Sequence, residues 1–159
     1  MDPGAEKKAV LADSPELNLF LFGVLLNYAW ELTQAPLYEG VATAAYWTVV
    51  KGCARATFGD GVILLIAYWS VAAVARDRRW FARPDRLRLA GFVGVGVAIT
   101  VVLERLALQS TFPGWGWSYS EAMPIVPGVG AGLTPLLQWL ILPLIALWLV
   151  RRQVSAPTS

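Results

Sequence analysis

The sequence predicts an all-α integral membrane protein, a four-helix bundle with a short interfacial helix between its first and second spans. Three observations carry that prediction. The chain is 57% hydrophobic and only 15% charged, against roughly 25% charged residues in soluble domains. Its mean hydropathy is +0.54. Its apolar residues gather into runs of membrane-spanning length, and its basic residues cluster between and after those runs. All 159 residues read as a single transmembrane domain, with spans at about 15-36, 58-76, 87-109 and 133-150.

Composition also removes chemistry. Cys53 is the only cysteine, so no internal disulfide and no CxxC redox pair can form. Without histidine, the usual zinc, haem and copper ligand sets are missing, and no cofactor is expected. A hard cation held by carboxylates is the metal chemistry left open.

Met1 to Asp13 is polar, contains Lys7 and Lys8, and is expected to lie at a surface. It does not read as a cleavable signal, because the apolar run after it has full span length. Ser14-Pro15-Glu16 is a helix start, with Ser as N-cap, Pro at the first position and Glu at the positive end of the dipole. Helix 1 is expected to run to about Ala35, where Pro36 ends or kinks it. Roughly 20 residues rising about 1.5 Å each match a hydrocarbon core of about 30 Å.

Between Gly40 and Phe58, Lys51 and Arg55 stand at i, i+4, and the apolar stretch before Lys51 is too short to span. A short interfacial helix is the expectation there. Gly59-Asp60-Gly61 then interrupts the pattern ahead of the apolar run from Val62 to Ala75. Two readings stay open. Helix 2 starts before Asp60 and takes it into the membrane, or Asp60 caps a thin helix.

Arg76, Arg78, Arg79, Arg83, Arg86 and Arg88 crowd the next loop, against Asp77 and Asp85. A basic loop between two apolar runs marks the cytoplasmic side; nucleic-acid binding is set aside because spans flank the run directly. Lys7, Lys8, Arg151 and Arg152 fall on the same side of a four-span chain, so ten of the thirteen basic residues face the cytoplasm. Both termini are therefore expected inside the cell, with the protein in the inner membrane.

Helix 3 carries Ala90, Gly94 and Ala98 as a small-xxx-small row, with a close helix contact expected at Gly94. The same row is the candidate face for a homodimer or a partner membrane subunit. Ser110 to Gly130 is an outer loop rich in Trp, Pro and Gly. Helix 4 begins near Thr134-Pro135 and holds Pro143, which removes a donor and clashes with the carbonyl of Trp139, so a kink is expected beside Gln138.

Function is sought in the polar residues at membrane depth, where an ionisable side chain costs several kcal/mol. Asn27, Glu31 and Gln34 fall at i, i+4 and i+7 on one face of helix 1. Helix direction brings Glu31, Asp60, Glu104, Arg105 and Gln138 to one depth in the outer half, under Trp115, Trp117 and Tyr119. Glu31, Glu104 and Asp60 are the candidate catalytic residues. Asn27, Trp30, Gln34, Arg105, Trp117, Tyr119 and Gln138 are the candidate binding residues. Each has a plainer reading: Glu104 and Arg105 at headgroup level, Asn27 and Gln138 as helix bridges, the aromatics as interface anchors.

Three carboxylates cannot all stay ionised cheaply in a pocket of low dielectric, and Arg105 is expected to pair with one of them. An acid beside a carboxylate meets the requirement for general acid–base work, and aromatic faces stabilise developing positive charge. Isomerisation or cyclisation of a hydrophobic, isoprenoid-like molecule fits those groups. Membrane lipid is the surrounding partner, and no nucleic acid is expected.

Trp30-Glu31-Leu32-Thr33-Gln34-Ala35-Pro36 resembles the Glu-Leu-x-x-Gln-x-Pro stretch of the EXPERA group of membrane proteins, with one residue fewer between Leu and Gln. That group includes sterol isomerases and sterol-binding relatives, and the resemblance implies that Glu31 is the acid. Glu104 followed by Trp117-x-Tyr119 and Met123-Pro124 is similar to the Glu…Trp-x-Tyr…Pro order of small lycopene cyclases and integral-membrane terpene cyclases. That likeness implies Glu104 instead. The whole pattern also resembles small bacterial four-span proteins of unassigned activity. Small multidrug transporters resemble the chain too, in their four short helices and a membrane Glu in helix 1, which implies proton-coupled transport. A third class is a non-enzymatic subunit or assembly factor of a membrane complex.

Overall fold

The computed structural model describes residues 14–112 and 115–154. The expected polar segment with Lys7 and Lys8 lies outside them. Among the described residues, four helices carry the fold: α1 (Pro15–Gln34), α2 (Tyr46–Ala75), α3 (Arg86–Leu108) and α4 (Leu133–Val154). Helices α2, α3 and α4 are each long and apolar enough to cross a membrane. Helix α1 has spanning length but not the hydropathy, because Asn18, Asn27, Glu31, Thr33 and Gln34 dilute its apolar residues.

The local signals explain the boundaries. The Ser14 hydroxyl accepts from the Leu17 N–H with Pro15 in the first turn, and Asp85 accepts from the Arg88 N–H to start α3. Pro36 cannot continue an α-helix, and the chain tightens into a 3-10 turn over Ala35–Leu37. At the end of α2, Arg76 turns into the left-handed region at φ 50°, and the Asp77 N–H closes back on the Ala72 carbonyl.

The expected interfacial helix is not a separate element. Helix α2 runs unbroken for 30 residues through Gly59, Asp60 and Gly61. It is about 45 Å long at 1.5 Å per residue, half as long again as a hydrocarbon core of about 30 Å. Asp60 therefore lies inside a helix and caps nothing. Two glycines, each costing roughly 1 kcal/mol in a helix, do not break it, because Gly61 is needed for packing. A Cβ there would stand 2.7 Å from the Phe20 ring of α1, and one at Gly23 would stand 2.4 Å from Leu64.

The helices contact in a ring, α1 to α2 to α3 to α4 and back to α1. One end is filled by apolar side chains. Leu19, Leu64, Tyr68, Phe92, Leu147 and Val150 are buried there, together with Trp80 and Phe81 from the basic loop. The loop is pinned: Arg78 reaches Glu16 at 2.6 and 3.0 Å, and Trp80 Nε1 donates to the Tyr68 carbonyl at 3.3 Å. At the opposite end two connections cross over the bundle. Tyr38 and Tyr119 form an antiparallel bridge, with Glu39 N–H donating to Ser118 and Ser120 N–H to Leu37.

The small-residue row on α3 is not an internal contact. Ala90, Gly94 and Ala98 are exposed, and a Cβ at Gly94 would meet nothing within 4 Å. The close approach is at Gly96 instead, where a Cβ would lie 2.2 Å from the Trp139 ring of α4.

Candidate functional site

Under the crossing loops the ring opens into a cavity of about 730 Å³. All four helices contribute to it: Glu31 and Gln34 from α1, Asp60 from α2, Glu104 from α3 and Gln138 from α4. Apolar walls come from Ala35, Val49, Ile63, Leu103 and Trp139, and Trp115 and Trp117 of the α3–α4 loop also line the cavity. Glu31, Asp60 and Glu104 are near enough to interact electrostatically. Glu31, Asp60, Glu104 and Gln138, expected to come together from helix direction, thus line one cavity.

One wall is a directed chain of amides. Trp30 Nε1 donates to Gln34 Oε1 at 3.1 Å, Gln34 Nε2 to Gln138 Oε1 at 3.3 Å, and Gln138 Nε2 to Asn27 Oδ1 at 2.7 Å. Asn27 Nδ2 ends the chain on the Gly23 carbonyl at 2.7 Å. Indole N–H can only donate and a carbonyl can only accept, so the two ends fix which way every amide points. As a result both glutamine nitrogens face carboxylates: Gln34 Nε2 lies 2.9 Å from Glu31 Oε1, and Gln138 Nε2 lies 3.0 Å from Asp60 Oδ2. Asn27 and Trp30 do not line the cavity. They orient the residues that do, and Trp30 borders a separate apolar groove between α1 and α4.

The facing wall centres on Glu104. Trp117 Nε1 donates to its Oε2 at 3.1 Å, and the Tyr119 hydroxyl donates to the same oxygen. Tyr119 in turn accepts from the Gly132 N–H at 2.9 Å, which fixes the ring against the start of α4. Burial, with the Glu104 carboxylate beside it, pushes the Tyr119 phenol above its ordinary range, so it stays a donor. Tyr38 packs on both aromatics, with ring centroids 6.3 Å from Trp117 and 5.6 Å from Tyr119.

Arg105 departs from expectation. Its Nε donates to the Val129 carbonyl at 2.8 Å and a terminal nitrogen to Gly128 at 3.4 Å, so it holds the loop between α3 and α4. Adjacent residues on a helix point about 100° apart, and with Glu104 turned inward Arg105 cannot share its face. Among the described residues it forms no ion pair, and it does not line the cavity.

Sequence reasoning missed Thr100, Gly59 and Trp139, all of which line the cavity. Thr100 was within reach, standing one helical turn before Glu104 on the same face. No group of three or more His, Cys, Asp or Glu able to hold a metal ion occurs among the described residues. No protein-family model matches the chain, and neither the curated proteins nor the solved structures provide a match.

Proposed function

We propose that the chain is a four-span inner-membrane protein, with both termini cytoplasmic, whose outer-half cavity binds a hydrophobic isoprenoid-like molecule and isomerises or cyclises it by acid–base chemistry. The observation that carries the reading is Glu104. Its carboxylate takes two aromatic donors, Trp117 and Tyr119, in the wall of a predominantly apolar cavity that also presents Glu31, Asp60 and, at its border, Arg55. An interface anchor has no need of that arrangement. A volume near 730 Å³ falls within the roughly 300–1,000 Å³ typical of small-molecule sites.

In this reading one carboxyl adds a proton to a carbon–carbon double bond, and the positive charge sits against the faces of Trp115 and Trp117. A second carboxylate removes a proton from a neighbouring carbon. Substrate and product then have the same atoms, and the enzyme ends with its protons exchanged between two groups. Glu104 and the Glu31–Asp60 pair stand on different helices, which suits delivery and removal at different carbons. The reading rests on Glu104 with Trp117 and Tyr119, the residues that carry the terpene-cyclase likeness. The packed apolar end beyond the cavity argues against a two-sided transport path of multidrug type.

Mass spectrometry of lipids and isoprenoids copurifying with the wild-type protein and with Glu31→Gln tests binding. The reading requires a hydrophobic, non-phospholipid molecule in the wild-type protein. Phospholipid alone in the wild-type preparation contradicts it.

A further inference from the structure

Resting on that reading, we propose that the bound molecule carries a hydroxyl or carbonyl oxygen, recognised by the Thr100 hydroxyl, with its chain laid along the open wall made by Gly52, Ala56 and Gly59 of α2. Thr100 lines the cavity one turn before Glu104, and its Oγ1 is buried with no hydrogen-bond partner among the described residues. A threonine inside a helix ordinarily donates to the carbonyl four residues earlier, as Thr33 does to Ala29 at 2.8 Å. Thr100 does not. Two other buried hydroxyls lack partners, Thr57 and Ser120, but neither lines the cavity.

A buried hydroxyl left unpaired is unfavourable, and a rotation of one torsion exchanges Oγ1 with the methyl group. A ligand oxygen arriving beside Thr100 satisfies it. The hydroxyl both donates and accepts, so an alcohol or a ketone gains a hydrogen bond there that a plain hydrocarbon cannot make. Across the cavity, a Cβ at Gly52 or at Gly59 would meet nothing within 4 Å, and Ala56 lies between them on the same face. Gly52, Ala56 and Gly59 themselves present no hydrogen-bonding side chain, so an apolar chain can lie on them, with Thr48 and Arg55 of α2 bordering the strip. Oxygen recognition at Thr100 also places the adjoining carbons one turn from Glu104.

The test compares farnesol with farnesene, an alcohol and a hydrocarbon of similar chain, binding to the full-length protein in detergent. Thr100→Val keeps the shape and removes a hydroxyl without partners, so it folds at least as stably as wild type. The expected result is that Thr100→Val weakens farnesol binding about tenfold and leaves farnesene unchanged. Gly59→Leu fills open space and blocks both probes. If Gly59→Leu blocks both but Thr100→Val changes neither, the oxygen-recognition proposal is overturned while the isoprenoid reading stands. If Gly59→Leu, folded normally, leaves both probes bound as in wild type, the isoprenoid reading of this cavity is overturned as well.

Discussion

Gln138 Nε2 on α4 lies 3.0 Å from Asp60 Oδ2 on α2, a hydrogen bond between helices that stand diagonally across the bundle. The same nitrogen reaches Asn27 on α1 at 2.7 Å. Three helices are therefore tied at one buried amide, and removing it strands both partners. Gln138→Leu is expected to lower stability by about 1–3 kcal/mol for each polar group left unpaired. Thermal unfolding in detergent measures this, and a melting temperature equal to wild type would count against the network.

The α3–α4 contact makes a second prediction, through two glycines two residues apart. A Cβ at Gly96 collides with Trp139 at 2.2 Å, whereas one at Gly94 meets nothing. Gly96→Leu should cost at least the roughly 1–3 kcal/mol of an overpacked core. Gly94→Leu should be neutral or stabilising within the monomer, since leucine is the better helix former. Comparing expression and unfolding of the two variants decides it.

Those glycines show what the sequence could reveal. The breaks in apolar patterning at Pro36, at the Arg76–Arg88 loop and before Pro135 locate the chain reversals, because capping and proline chemistry are local. The meeting of Glu31, Asp60, Glu104 and Gln138 at one end of the bundle was also legible, since alternating helix direction alone brings them there. Rotation about the helix axis was not. It decides that Gly96 faces α4 while Gly94 faces outward, and that Arg105 turns to the Val129 carbonyl while Glu104 turns inward. Gly59 and Gly61 looked like a helix break because their propensity is poor, but packing of Gly61 on Phe20 overrides that local cost.

Alkaline stability follows from Tyr119. Its phenol is held above the ordinary range by burial and by Glu104, so the folded state keeps a proton that the unfolded chain releases near pH ~10. The contribution is whole below that pH and is lost as pH rises toward the folded value. Tyr119→Phe should therefore flatten the loss of stability above pH ~10. Denaturation profiles of the two proteins between neutral and strongly alkaline pH give the comparison, and an identical slope contradicts the assignment.

The proposed orientation places Ser118 outside and Arg83 in the cytoplasm. In a Cys53→Ser background, Ser118→Cys should react with a membrane-impermeant thiol reagent in intact cells, and Arg83→Cys only after lysis. The reverse pattern would invert the topology and move the cavity to the inner leaflet.

Deuterium incorporation reports on the proposed delivery of a proton to substrate carbon. Incubation of the purified protein with isoprenoid alcohols in D2O, followed by mass spectrometry, detects a proton delivered from solvent-exchanged carboxyls to substrate carbon. Wild type should form an isomer or cyclised product of unchanged composition carrying one deuterium, and Glu104→Gln should fold normally and form none. Product formed equally by Glu104→Gln, or product without deuterium, would contradict it.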